Sequence, residues 1–193
     1  MSETLRDRTR RAVQSEISAA AMSLFTQRGF DDVTIDEIAA ASGISRRSFF
    51  RYFATKEDIV LGDLEALGER VRGALEAVPI EESPWTAMRA ALVALESTPS
   101  GETLAVSRLY ASTPSLRARH LEKHHKWLHL LAPNVALRNG RSRPDHRDLA
   151  IVAACLACLD IAVDEWTRLD GKTDPEALYD EAIAALRTGS SAG

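Results

Sequence analysis

The stretch Thr34–Phe53, TIDEIAAASGISRRSFFRYF, concentrates the side chains whose types and spacing could do chemistry. Three guanidinium groups, those of Arg46, Arg47 and Arg51, fall on one short predicted helix, and residues 38–56 contain no acid. Arginine can form paired hydrogen bonds to guanine O6 and N7, and hydroxyl groups suit phosphate oxygens. These residue types therefore favour recognition of double-stranded DNA.

The elements that must position these arginines are two short helices joined by a tight turn. Thr34 with Glu37 three residues later forms a capping box and predicts a helix start. Ala39 allows a close helix crossing, and Gly43 supplies the positive φ that the turn requires. Ser45 caps the next helix. The pattern predicts a helix-turn-helix whose second helix projects its arginines outward.

The rest of the chain also has the periodicity of helices, and no strand pattern interrupts it. We predict an all-α fold of about nine helices, over 8–28, 34–42, 45–53, 56–78, 85–97, 101–112, 115–137, 145–169 and 175–187. Pro133 leaves open whether the 115–137 helix ends early. Residues 1–55 form the predicted DNA-binding domain and 56–193 a second domain, with the long helix 56–78 linking them.

Charge is distributed unevenly along the chain, whose net charge is −4. Residues 1–56 hold nine basic and seven acidic side chains, whereas the remainder holds fifteen and twenty-one. Arg6–Arg11 forms a basic N-terminal arm that either contacts DNA in the minor groove or only improves solubility. A basic end on an acidic body suits a protein that presents one face to a polyanion.

Several classes of protein are disfavoured. The chain contains no catalytic triad, phosphate-binding loop or H-E-x-x-H motif, so we do not expect an enzyme. No apolar run reaches the about 18–20 residues of a membrane span, and the N-terminus does not read as a signal peptide. Cys155 and Cys158 lie mid-helix in an apolar run, which favours buried, inert thiols over redox chemistry. We expect a soluble cytoplasmic protein with no membrane partner.

Residues 10–56 closely resemble the DNA-binding domain of TetR-family regulators. The resemblance is carried by AMSLFTQRGF at Ala21–Phe30, TIDEIA at Thr34–Ala39, AAASGIS at Ala39–Ser45 and FRYFATKED at Phe50–Asp58. It covers about a quarter of the chain, and many positions match at fixed spacing.

The resemblance implies roles for particular residues. Phosphate contacts are implied for Thr34, Ser45, Tyr52 and Lys56. Readout of bases and neighbouring phosphates is implied for Arg46, Arg47, Ser48 and Arg51. Phe50 stands where many family members have tyrosine; it lacks the hydroxyl for a phosphate contact but can touch a thymine methyl group.

The resemblance also implies a ligand-responsive repressor that binds a palindromic operator as a homodimer and is released by a small-molecule effector. An activator of the same architecture is the alternative. Helices 145–169 and 175–187 are the implied dimer surface, and the run Leu149–Asp160 is apolar on every side. Two half-sites are then read about 34–36 Å apart.

The helices over 85–132 are expected to enclose an effector pocket, and no cofactor is expected. The bulky candidates for its lining are Trp85, Met88, Leu92, Leu104, Tyr110, Trp127 and Leu131. They suit an apolar or aromatic effector. The Phe49–Asp58 stretch and the sequence Asp164–Trp166 resemble members that sense fatty acyl thioesters.

Four histidines form two pairs at i, i+4 spacing, His120 with His124 and His125 with His129. Such pairs can bind Zn²⁺ from one helix face. We expect a solvated or DNA-distant surface patch and no bound metal. A helical metal-binding protein using this cluster is the rival function from a different class.

Overall fold

The computed structural model describes residues 4–62, 64–94 and 101–189. Every regular element in these ranges is an α-helix, which confirms the all-α prediction. The helices are α1 Leu5–Arg28, α2 Ile35–Ala41, α3 Arg46–Phe49, α4 Glu57–Leu61, α5 Leu64–Ala77, α6 Pro84–Val93, α7 Gly101–Ser112, α8 Pro114–Arg138, α9 His146–Arg168 and α10 Pro175–Gly189.

The described residues form two compact units. The first comprises residues 4–62 together with Ser112–Leu116, and the second comprises most of the remaining chain from Leu64 onward. The boundary falls at the end of α4, because Gly62 takes a φ of 64° and ends that helix. The prediction of one continuous helix over 56–78 is therefore wrong.

The first unit is built around α1. Its buried residues are Ile17, Ala21 and Phe25, the helix contacts α2 and α4, and the Phe25 ring lies 4.8 Å from that of Phe30. Thr4 and Asp7 form a capping box that starts α1 at Leu5. The prediction of a separate basic arm over residues 6–11 is therefore wrong, because these arginines lie on the first turns of α1.

The second unit buries a continuous apolar core contributed by α5, α6, α8, α9 and α10. Gly68 on α5 marks one close approach, because a Cβ there would lie 2.6 Å from Trp127 Nε1. That indole nitrogen donates to the Leu64 carbonyl at 3.3 Å. Pro133 lies inside α8, so the alternative that this helix ends early is wrong.

Two arginines are built into the second unit. Arg138 donates to the carbonyls of Leu75 and Val78, both at 2.8 Å, and so closes the C-terminal end of α5. Arg141 pairs with Asp148, whose side chain is fully buried. This guanidinium is the main reason that the pKa of Asp148 is lowered to about 2.

The two cysteines are buried and free, as predicted. Burial raises the pKa of Cys155 to about 12 and also raises that of Cys158, so both remain thiols at neutral pH. In the part of the chain that the structure describes, no helix combines the length and apolar character needed to cross a bilayer.

Candidate nucleic-acid interface

The turn between α2 and α3 is fixed by local hydrogen bonds that the sequence encodes. The Thr34 hydroxyl accepts from the Glu37 amide, and the Glu37 carboxylate accepts from the Thr34 amide at 2.8 Å, which completes the predicted capping box. Gly43 has a φ of 67°, and the Ile44 amide donates to the Ala39 carbonyl at 3.0 Å. Both features of the predicted turn are therefore present.

Helix α3 is oriented by one buried aromatic residue. Phe49 is fully buried, and its ring lies 5.5 Å from the Phe50 ring and 5.9 Å from the Phe53 ring. Ser45 caps the helix by accepting from the Ser48 amide. The helix ends at Phe49 and continues as turns, so it is shorter than predicted. Arg46 and Arg47, in the first turn of α3, are both exposed.

The outward arginines are held weakly by the protein itself. Arg46 pairs with Asp36 at 2.8 Å, but both side chains are more than half exposed, and such pairs contribute little. Arg47 is exposed and has no hydrogen-bond or ion-pair partner within the described ranges. The Arg51 guanidinium lies 5.6 Å from the centre of the Tyr52 ring. These groups can therefore exchange solvent for phosphate or base edges at small cost.

Helix α1 holds the segment that follows α3. Arg10 donates to the Arg51 carbonyl at 3.3 Å, and Gln14 donates to the Tyr52 carbonyl at 3.2 Å. The sequence places Arg10 in the predicted basic arm and gives no reason to single out Gln14. Contacts across about forty residues leave no signal in local spacing, so these positioning residues could not be found from the sequence.

Phe50 and Lys56 differ in their exposure to solvent and in their contacts within the first unit. Phe50 is 47 % exposed and presents an apolar surface beside Arg46, which agrees with the predicted thymine contact without testing it. Lys56 instead donates to the carbonyls of Phe30 and Val33 at 2.6 and 2.9 Å. Two of its three N–H donors are thus used inside the first unit. Its assignment as a phosphate ligand stays a prediction.

The predicted effector-lining residues fall into two groups. Four are buried in the core of the second unit: Met88, Leu92, Trp127 and Leu131. Trp85, Leu104 and Tyr110 are half-buried. The Tyr110 ring lies 5.4 Å from the His120 ring, and burial raises the pKa of its hydroxyl. The first group contributes to the core, and Trp85 of the second group packs against it.

The two histidine pairs are in different environments. His120 Nε2 and His124 Nδ1 lie 2.7 and 3.2 Å from the Asp160 carboxylate, and both rings are largely buried. His125 and His129 are exposed, with ring centroids 5.3 Å apart. His120 and His124 are therefore less solvated than a surface patch, whereas His125 and His129 are exposed as predicted.

The helix-turn-helix and the helical second unit define a DNA-binding transcription regulator, and the chain belongs to the TetR family. Residues 17–62 match the family model of bacterial regulatory proteins of the tetR family. Residues 82–191 match the model of the MftR C-terminal domain. Family and fold therefore agree with the resemblance seen in residues 10–56, and the relatives are regulators rather than enzymes.

Two curated relatives match over most of their length. The chain is 32 % identical over 174 residues to the putative mycofactocin biosynthesis transcriptional regulator MftR of Mycobacterium tuberculosis, covering 89 % of this chain and 88 % of that protein. It is 33 % identical over 196 residues to the HTH-type transcriptional regulator TcmR of Streptomyces glaucescens, covering 95 % and 86 %.

Solved structures show the same fold. The repressor FadR of Thermus thermophilus, in complex with lauroyl-CoA, is 23 % identical with a TM-score of 0.52, over 90 % of this chain and 92 % of that one. The SmeT–triclosan complex is 14 % identical with a TM-score of 0.64, over 90 % and 91 %.

Proposed function

We propose that this regulator is a repressor that binds a palindromic operator as a homodimer and leaves it when a small apolar effector binds. The observation that carries the proposal is the outward face of α3, where Arg46 is held only by an exposed ion pair and Arg47 by no described partner. Exposed guanidinium groups on the second helix of a helix-turn-helix are suited to the major groove of DNA.

Individual contacts follow from the geometry of α3. Arg46 and Arg47 would read guanine, and Phe50 would meet a thymine methyl group. The hydroxyl groups of Thr34, Ser45 and Tyr52 would bind phosphates and set the register. The Ser48 hydroxyl accepts a hydrogen bond from the Ser45 hydroxyl at 3.0 Å. Ser48 would therefore contact the same stretch of the DNA backbone as Ser45.

A face of α9 supports self-association. Ala150, Ala153, Ala157 and Ile161 recur at helical spacing and are exposed, with Ile161 60 % exposed. On α10, Leu186 is 51 % exposed. Small and apolar side chains on one face allow two helices to approach closely and remove apolar surface from water. A homodimer through α9 and α10 would cover this face and pair two recognition helices.

The effector class is proposed from the half-buried aromatic and aliphatic residues of the second unit, Trp85, Leu104 and Tyr110. Lauroyl-CoA and triclosan are the ligands of two structural neighbours, and both carry large apolar parts. A fatty acyl thioester is thus one candidate.

The DNA proposal is tested by selecting bound duplexes from a randomised library. We expect a palindrome whose half-site centres lie about one helical turn apart. Sedimentation should show a dimer, and Ile161→Glu should yield monomers that no longer bind the palindrome. A selected site without symmetry, or a wild-type monomer that binds it fully, would contradict the proposal.

Regulation is tested on the selected operator placed in a promoter. Transcription in vitro should fall when the protein is added and recover with an acyl thioester or an aromatic ligand. The expected coupling is about 5–150-fold in operator affinity. Increased transcription on adding the protein would instead favour an activator.

A further inference from the structure

We propose that His120, His124 and Asp160 form a binding site for a divalent cation of the zinc class. The two histidines lie one turn apart on α8, and the aspartate comes from α9. One ligand atom from each residue can be chosen so that all three lie within 4.8 Å of one another. This site is separate from the DNA-binding face and does not depend on the proposed effector.

Both imidazole nitrogens lie close to the carboxylate. His120 Nε2 lies 2.7 Å from Asp160 Oδ1, and His124 Nδ1 lies 3.2 Å from Asp160 Oδ2. Zinc binds imidazole nitrogen at about 2.0–2.1 Å and carboxylate oxygen at about 2.0–2.2 Å. An ion bound at those distances would replace the two direct contacts with Asp160, and the three side chains would adjust around it. Three protein ligands would leave a fourth position for water or another donor.

The second ring nitrogen of each histidine, which is not a proposed ligand atom, lies in a different environment. His124 Nε2 is buried and has no hydrogen-bond partner among the described residues, so the ring is held through its Nδ1 side. Lys123 Nζ lies 3.1 Å from Nδ1 of His120, on the edge of that ring away from Asp160. The ammonium group also lies 4.8 Å from the Trp127 ring, which holds it beside the cluster.

The ligand set defines the class of cation. Imidazole suits Zn²⁺, Cu²⁺ and Ni²⁺, whereas Mg²⁺ and Ca²⁺ require shells made of oxygen. The three side chains are 13–31 % exposed, which leaves a route for an ion from solvent. Zn²⁺ is therefore the probe of choice, with Mg²⁺ as the negative control.

The experiment uses the full chain, freed of any histidine tag and stripped with a chelator. Calorimetric titration with Zn²⁺ should show one ion per chain, and elemental analysis after dialysis should retain it. His124→Ala should weaken binding by more than the about 10–100-fold that loss of an outer-shell partner costs. The matched control is His125→Ala, the neighbouring residue of the exposed pair, which should bind as the wild type does.

Folding is checked independently with Asp160→Asn, which keeps the side-chain shape. Zn²⁺ should raise the Tm of the wild type and of His125→Ala, and leave that of Asp160→Asn unchanged. The proposal is overturned if the wild type takes up no Zn²⁺. It is also overturned if His125→Ala loses as much affinity as His124→Ala, or if Asp160→Asn binds as tightly as the wild type.

Discussion

Two arginines of α3 and two arginines of the second unit differ in how far the protein itself holds them. In the first, Arg46 and Arg47 face solvent, one in an exposed ion pair and the other with no described partner. In the second, Arg138 donates to backbone carbonyls and Arg141 pairs with the buried Asp148. An arginine whose guanidinium already donates to acceptors within the protein is not available to DNA. These internal contacts, rather than the local count of basic residues, indicate which arginines can bind DNA.

The largest expected effect on stability comes from Arg138→Ala. Its guanidinium donates to the carbonyls of Leu75 and Val78, and hydrogen bonds to charged groups contribute about 1.5–3 kcal/mol each. We expect a loss of about 3 kcal/mol or more in the free energy of unfolding, measured by urea denaturation. Arg143→Ala, in the exposed loop before α9, is the matched control and should change it by less than about 0.5 kcal/mol.

Arg47→Ala should give the complementary result. A paired contact between arginine and guanine contributes about 1–3 kcal/mol of discrimination, or about 5–150-fold in affinity. Operator affinity should fall by that factor, as measured by fluorescence anisotropy, while the Tm stays unchanged. The control is Arg70→Ala, another exposed helical arginine but in the second unit. Equal losses in both variants would mean that position on α3 does not distinguish the DNA-binding arginines from other exposed ones.

The pairing in the second unit also predicts a pH dependence. The pKa of Asp148 is about 2 in the folded chain, lowered mainly by the Arg141 guanidinium from an ordinary value of 3.8. A lowered pKa stabilises the fold above pH 3.8, and this contribution is lost as the pH falls from 3.8 towards 2. Asp148→Asn should flatten the fall in Tm across that window. The exposed Asp164→Asn should leave the wild-type slope in place.

The smallest effect is expected from the cap of α2. Thr34→Ala removes the hydroxyl that accepts from the Glu37 amide, and loss of an N-cap costs about 1 kcal/mol. Thr34→Ser keeps the acceptor and should restore stability in thermal unfolding. If Thr34→Ser were as unstable as Thr34→Ala, the capping hydrogen bond would not be the stabilising feature.

Local signals made much of the first unit predictable. The capping box at Thr34 and the turn glycine at Gly43 act over four residues or fewer, so the sequence states them directly. The capping box of Thr4 with Asp7 follows the same pattern. The prediction did not include it, and α1 therefore begins earlier than predicted. The glycine at position 62 was a comparable signal, but the apolar spacing on either side of it favoured one continuous helix.

Long-range contacts could not be predicted from the sequence. Asp160 lies forty residues from His120, and nothing in the spacing indicates that they meet. The same holds for Arg138, whose acceptors on α5 are about sixty residues away. Which polar side chains become partners depends on how the helices pack, and a single sequence constrains that packing only through its apolar faces.

The proposed role of α3 is to read base edges through Arg46 and Arg47. The most direct test measures the ratio of affinities for the selected operator and a scrambled duplex, in the wild type and in the double variant Arg46→Ala, Arg47→Ala. We predict that the double variant remains folded and dimeric, keeps its salt-dependent binding to any DNA, and loses the preference for the operator. An unchanged ratio in a folded double variant would contradict the account.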